Sequence, residues 1–131
     1  MLEGRALHPV PLEAIVKRGL MKNISFSITT EQFKARTKTV TRRLGWKTLK
    51  PGQHLMGCKK CMGLKPGEKI EKLGEISIVS VRREPLFMMS DEDCPKEGFP
   101  NMNRIDFINM FCEEMHVMAS EPVTRIEFEY V

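Results

Sequence analysis

The ten residues Lys34-Ala35-Arg36-Thr37-Lys38-Thr39-Val40-Thr41-Arg42-Arg43 hold five cations, three threonines and no acid. The imbalance extends well past them. From Lys34 to Gly67 there are ten Lys or Arg and not one Asp or Glu, whereas Ser90 to Val131 carries ten acids against three bases. A net charge of +4 conceals this polarity. Any fold must leave these cations on solvated faces or present them to an anion, and a run this long without counter-charge favours the anionic partner.

A chain of 131 residues with 41% hydrophobic content suits one domain with a single ordinary core. No apolar run is long enough to span a bilayer, and the N-terminus lacks the pattern of a secretory signal. With four cysteines, this points to a reducing, cytoplasmic setting and no membrane partner. Residues 1–20, with Pro9-Val10-Pro11 before an amphipathic Leu12–Arg18, read as an N-terminal extension, helical or flexible. Met21 opens the domain, 21–131.

Polar–apolar alternation over Asn23–Ile28 predicts a strand with Ile24, Phe26 and Ile28 on its core face. Thr29 or Thr30 is placed to cap a short helix over Glu31–Ala35. Lys50-Pro51-Gly52 signals a turn, His54–Cys58 a strand, and Gly63–Gly67 another turn. Glu75–Val81 is the clearest strand, with Ile76 and Ile78 on one face and Val79 and Val81 on the other. Ser90 and Asp93 begin a short helix towards Glu97, broken at Gly98-Phe99-Pro100. Helical spacing at Ile105, Ile108, Phe111 and Cys112 follows, then an alternating strand over Arg125–Val131. Many strands and short helices indicate an α+β fold, a small mixed β-barrel with peripheral helices.

Lys38-Thr39-Val40-Thr41-Arg42-Arg43, Leu49-Lys50-Pro51-Gly52, Gly74-Glu75-Ile76, Val81–Leu86 and Glu97-Gly98-Phe99-Pro100 together resemble the ASCH domain family in its phage and bacterial versions. The likeness runs from about Met21 to the end. It implies a PUA-like barrel with a cleft beside the basic motif and RNA or a modified nucleoside as partner. One branch is similar to amidohydrolases that deacetylate N4-acetylcytidine. Carried over, that branch implies Lys38 as base, Thr41 as nucleophile and Glu97 as acid–base partner. The chemistry needs a base beside the threonine hydroxyl, and a lysine serves only with a lowered pKa, which Arg42 and Arg43 would favour. Binding of RNA or a modified nucleoside in the basic cleft without catalysis is the first reading, and the amidohydrolase is its alternative.

Arg36, Arg42, Arg43, Lys59 and Lys60 are then the phosphate contacts, with Trp46 a stacking platform. That family often has glycine two residues before the lysine. Here the position is Arg36, whose bulk is expected to narrow or redirect the cleft. Cys58-Lys59-Lys60-Cys61 has the spacing of half a zinc site or of a redox dithiol, but without a second close cysteine pair no metal or cofactor is expected.

Overall fold

A computed structural model describes residues 21–131. Five strands and three helices follow along it: β1 (Asn23–Ser25), α1 (Thr30–Lys34), β2 (Val40–Arg43), β3 (His54–Cys58), β4 (Lys72–Pro85), α2 (Asp93–Glu97), α3 (Arg104–Met115) and β5 (Pro122–Tyr130), with a 3-10 turn at Leu86–Met88. The fold is α+β, with one mixed sheet in the order β1-β3-β4-β5-β2. β1 runs parallel to β3, and every other pair is antiparallel. The extension 1–20 and its helix lie outside the described residues.

The ladder does not close into a barrel. β1 and β2 are its edges, only three and four residues long. The sheet nevertheless curls enough for Arg43, at the end of β2, to donate from Nη2 to the carbonyl of Ser25 in β1 at 2.5 Å. A side chain therefore spans the seam where a barrel would have backbone hydrogen bonds, and the opening beside it becomes the cleft described below.

β5 shows how the two sheet faces are used. Ile126 and Phe128 belong to a core with Ile24, Phe26, Phe33, Leu55, Ile76 and Ile78. Val123 points to the other face, into a second core with Leu86, Met89, Cys94 and the α3 residues Phe107, Ile108 and Phe111. A single-core reading is thus corrected to one core on each face. Close approach governs the first: a Cβ on Gly57 would fall 2.4 Å from the Phe33 ring.

Several local expectations change for identifiable reasons. β1 stops at Ser25 and the chain bends, so Ile28 is exposed instead of joining Ile24 and Phe26 in the core. Neither threonine caps α1; Thr30 Oγ1 donates back to the carbonyl of Phe26 at 2.7 Å. In β4 the register to β5 shifts between Ile78 and Ser80. The extra residue, Val79, faces solvent, and Val81 returns to pack on the first core instead of the opposite face. α3 begins at an Asn103 cap and buries Phe107 in place of Ile105.

Candidate active site

The decapeptide around Lys38 leaves α1 through a tight left-handed exit. Arg36 has φ +60°, its N–H donates to the carbonyl of Phe33, and Thr37 N–H donates to that of Gln32. These two bonds form the Schellman motif, whose left-handed position usually holds glycine. α2 ends in the same way. Gly98 has φ +102°, with its N–H on the carbonyl of Pro95 and Phe99 N–H on that of Cys94. The two helix ends are in contact, since Gln32 Nε2 donates to the carbonyl of Gly98 at 3.2 Å. Thr39 N–H also donates to Lys96 O at 2.8 Å, so Lys38 and Glu97 are delivered to one place by paired backbone turns.

There Lys38 Nζ donates to Glu97 Oε1 at 3.0 Å and to the Glu97 carbonyl at 2.6 Å. Arg42 Nη1 holds the other carboxylate oxygen at 3.0 Å. Asp93 lies four residues before Glu97, hence on the same helical face. It accepts from Arg42 Nη2 at 2.5 Å and from Arg125 Nε at 2.8 Å. Glu84 adds a further contact to Arg42 at 3.2 Å. None of Lys38, Arg42, Asp93, Glu97 and Arg125 is more than 7% exposed.

Sheet register explains the need for these acids. Arg42 is directly opposite Arg125, which is directly opposite Arg82, so three arginines form one cross-strand row. Like charges in such positions repel. Asp93 bridges Arg42 and Arg125, and Glu84 bridges Arg42 and Arg82. The arginines hold Asp93 well below the usual carboxylate range, with two hydrogen-bonded cations outweighing its burial. Glu84 is lowered in the same way, against its own burial, by Arg82 and Arg42. The sequence reading missed Asp93, Glu84 and Arg125, although the Asp93–Glu97 spacing of four was visible.

Thr41 and Arg43 point from the opposite face of β2. Arg43 Nε donates to Thr41 Oγ1 at 2.9 Å, and its guanidinium lies 5.0 Å from the centre of the Phe26 ring. Burial lowers the Arg43 pKa to about 10, partly offset by Glu97. Lys38 is also lowered. Its burial is the largest cause, Glu97 opposes it, and Arg43 and Arg42 add smaller downward contributions. Desolvation, more than the neighbouring arginines, therefore weakens this ammonium.

Lys38, Thr41, Arg42, Arg43 and Glu97 line one cleft of about 260 Å³ at the open seam of the sheet. Its walls are Ser25–Thr29 on one side and Phe99, Phe107, Phe111 and two methionines on the other. The remaining sequence candidates stand elsewhere. Arg36 is exposed, stacked 5.4 Å from the Tyr130 ring centre, and does not line or narrow the cleft. Lys59 and Lys60 are exposed beyond β3. Trp46 packs on the first core. Arg42 lines the cleft, and its guanidinium is committed to three carboxylates. Among the described residues no three His, Cys, Asp or Glu converge as a metal site, and no helix is long and apolar enough to cross a membrane.

No protein-family model and no curated protein matches the chain. Solved structures do match. A DUF984 family protein from Enterococcus faecalis is 15% identical with a TM-score of 0.60, covering 92% of each chain. An ASCH domain from Lactobacillus crispatus is 14% identical with a TM-score of 0.58, covering 92% of this chain and 86% of its own. A protein described only as hypothetical is 15% identical with a TM-score of 0.58, covering 85% and 97%. The chain shares their fold, and it is ASCH-like in that sense.

Proposed function

We propose that this ASCH-like chain binds a modified nucleoside in the cleft and hydrolyses its exocyclic amide, with N4-acetylcytidine as the model substrate. One observation carries the reading: a buried lysine of lowered pKa lines the same cleft as a threonine hydroxyl, with two bonds to Glu97 fixing its amine. A neutral amine has two N–H groups and one lone pair. Both N–H groups are used by Glu97, and the lone pair remains for the Thr41 proton. The cleft is near the small end of ligand pockets, which run from about 300 Å³ upward, and its phenylalanine wall suits a flat base.

In this mechanism Lys38 takes the Thr41 proton while Oγ1 attacks the acyl carbon. The C–N bond breaks, the proton passes from Lys38 to the departing amine, and an ester remains on Thr41. Water, deprotonated by Lys38, cleaves that ester and restores the hydroxyl. Glu97 orients Lys38 and stabilises it when charged, and Arg42 fixes Glu97 from behind. Arg43 holds Oγ1 from the side, leaving the hydroxyl hydrogen free to be donated.

Deacetylation of N4-acetylcytidine by the purified protein tests the reading. Thr41→Ala should abolish turnover, and Lys38→Ala should lower it about 10²–10⁴-fold. Activity should climb with pH as Lys38 loses its proton and level off below the ordinary lysine value of 10.5. Turnover surviving in Thr41→Ala would remove Thr41 as nucleophile. The alternative, RNA binding without catalysis, draws on exposed Arg36, Lys59 and Lys60, which lie outside the cleft. Salt-sensitive RNA binding with no turnover of acylated nucleosides by the parent protein would favour it.

A further inference from the structure

Cys58 and Cys61 take no part in that chemistry, yet their surroundings are specific. Cys58 ends β3, where the ladder to β4 is bulged between Gly57 and Cys58. The chain then bends at Lys59, which turns the Cys61 side chain back beside that of Cys58, whose Sγ–H donates to the Met56 carbonyl at 3.5 Å. Both are free thiols, Cys58 fully buried and Cys61 partly exposed. The bend is clamped to the cleft wall on two sides. Phe26 N–H donates to the Cys58 carbonyl at 2.8 Å, and Ser25 Oγ donates to that of Lys59 at 3.2 Å. Ser25 also accepts the Arg43 guanidinium, which lies close enough to Cys61 for the two groups to interact electrostatically.

We propose that Cys58 and Cys61 form a reversible dithiol–disulfide site, oxidised by hydroperoxides, at the rim of the cleft. Cys61 is the accessible partner and reacts first. Its thiolate attacks a peroxide oxygen, the O–O bond breaks, water or an alcohol leaves, and Cys61 becomes a sulfenic acid. Cys58 then gives up its proton and attacks the Cys61 sulfur, forming the S–S bond and releasing water. Two electrons pass from the thiol pair to the peroxide. Burial pushes the Cys58 thiol up to about 11, which suits a resolving group held beside its target better than an initial nucleophile. The new bond restrains the segment that holds Ser25, and through it Arg43. Cys94 and Cys112 sit with the second core, away from this arrangement.

The full chain, reduced and then exposed to a small molar excess of hydrogen peroxide, provides the test. After the remaining thiols are alkylated, the expected product is a monomer lighter by two hydrogens with two cysteines protected. Trypsin cuts at Lys59 and Lys60, so the Cys58 and Cys61 peptides should appear joined through sulfur and separate after dithiothreitol. Cys61→Ser should abolish the linkage, and Cys112→Ser should leave it intact. A different cysteine pair, a dimer linked through Cys61, or Cys61 carrying two added oxygens while Cys58 still alkylates would each overturn the proposal.

Discussion

Arg42 and Arg43 are neighbours on one strand, yet they stand in opposite electrostatic regions. On the Arg42 face, buried Arg42 and Arg125 and the exposed Arg82 aligned with them meet Asp93, Glu84 and Glu97 in one network. On the Arg43 face, the guanidinium faces a threonine hydroxyl, a backbone carbonyl and an aromatic ring, with no carboxylate among the described residues bonded to it. The first region is self-neutralised and fixes geometry; the second leaves a cation at the cleft. A buried ion pair is weak evidence for net stability, but losing one member strands the others. The same charge is therefore committed to carboxylates on one face and to neutral groups of the cleft wall on the other.

Arg42→Met should show the largest effect on stability. It leaves Glu97, Asp93 and Glu84 each short of a cation, and chemical denaturation should show a loss of about 3–5 kcal/mol. Arg43→Met removes two charged hydrogen bonds from a partly buried site and should cost less, about 1–3 kcal/mol, while loosening Thr41 and lowering turnover. Equal losses for the two would break the comparison.

Acid titration sharpens it further. Asp93 is depressed in the folded state relative to 3.8, so its stabilisation is complete above that value. It is lost as pH falls through the folded pKa, and Asp93→Asn should flatten that acid limb. Lys38 has the reverse consequence. Its folded pKa lies below 10.5, so the unfolded chain holds the proton more tightly, and stability should rise with pH between the two values. Lys38→Met should remove that rise.

The smallest effect belongs to the first arginine of the segment, Arg36. Arg36 sits at φ +60°, where a side chain costs about 1–2 kcal/mol, and its stacking on Tyr130 returns about 0.5–1 kcal/mol. Arg36→Gly should therefore change stability by about 1 kcal/mol or less, in the stabilising direction, and leave turnover intact. A large drop in turnover would return Arg36 to the cleft. The glycine frequent at the corresponding position of the ASCH family that the motif resembles then has a backbone explanation, the helix exit, and not a cleft-clearance one.

Local signals in the chain determined a good deal. The turn at Pro51-Gly52 located β3, and alternation located the centre of β4 because a half-buried strand has period two wherever no residue is inserted. Gly98 marked the end of α2 because a left-handed exit favours glycine. The basic motif and the Glu-Gly-Phe element point to Lys38, Thr41, Arg43 and Glu97, residues that line one cleft. What the sequence could not contain was register. The bulge at Val79 reverses a face, and the alignment of Arg42 with Arg125 and Arg82 dictates where the acids must go. Whether a sheet edge closes depends on how far short strands curl, and Arg43 reaching Ser25 decides it here. Charge pattern says that cations need partners; only tertiary structure says which cation receives them, because pairing depends on distances between residues far apart in the chain.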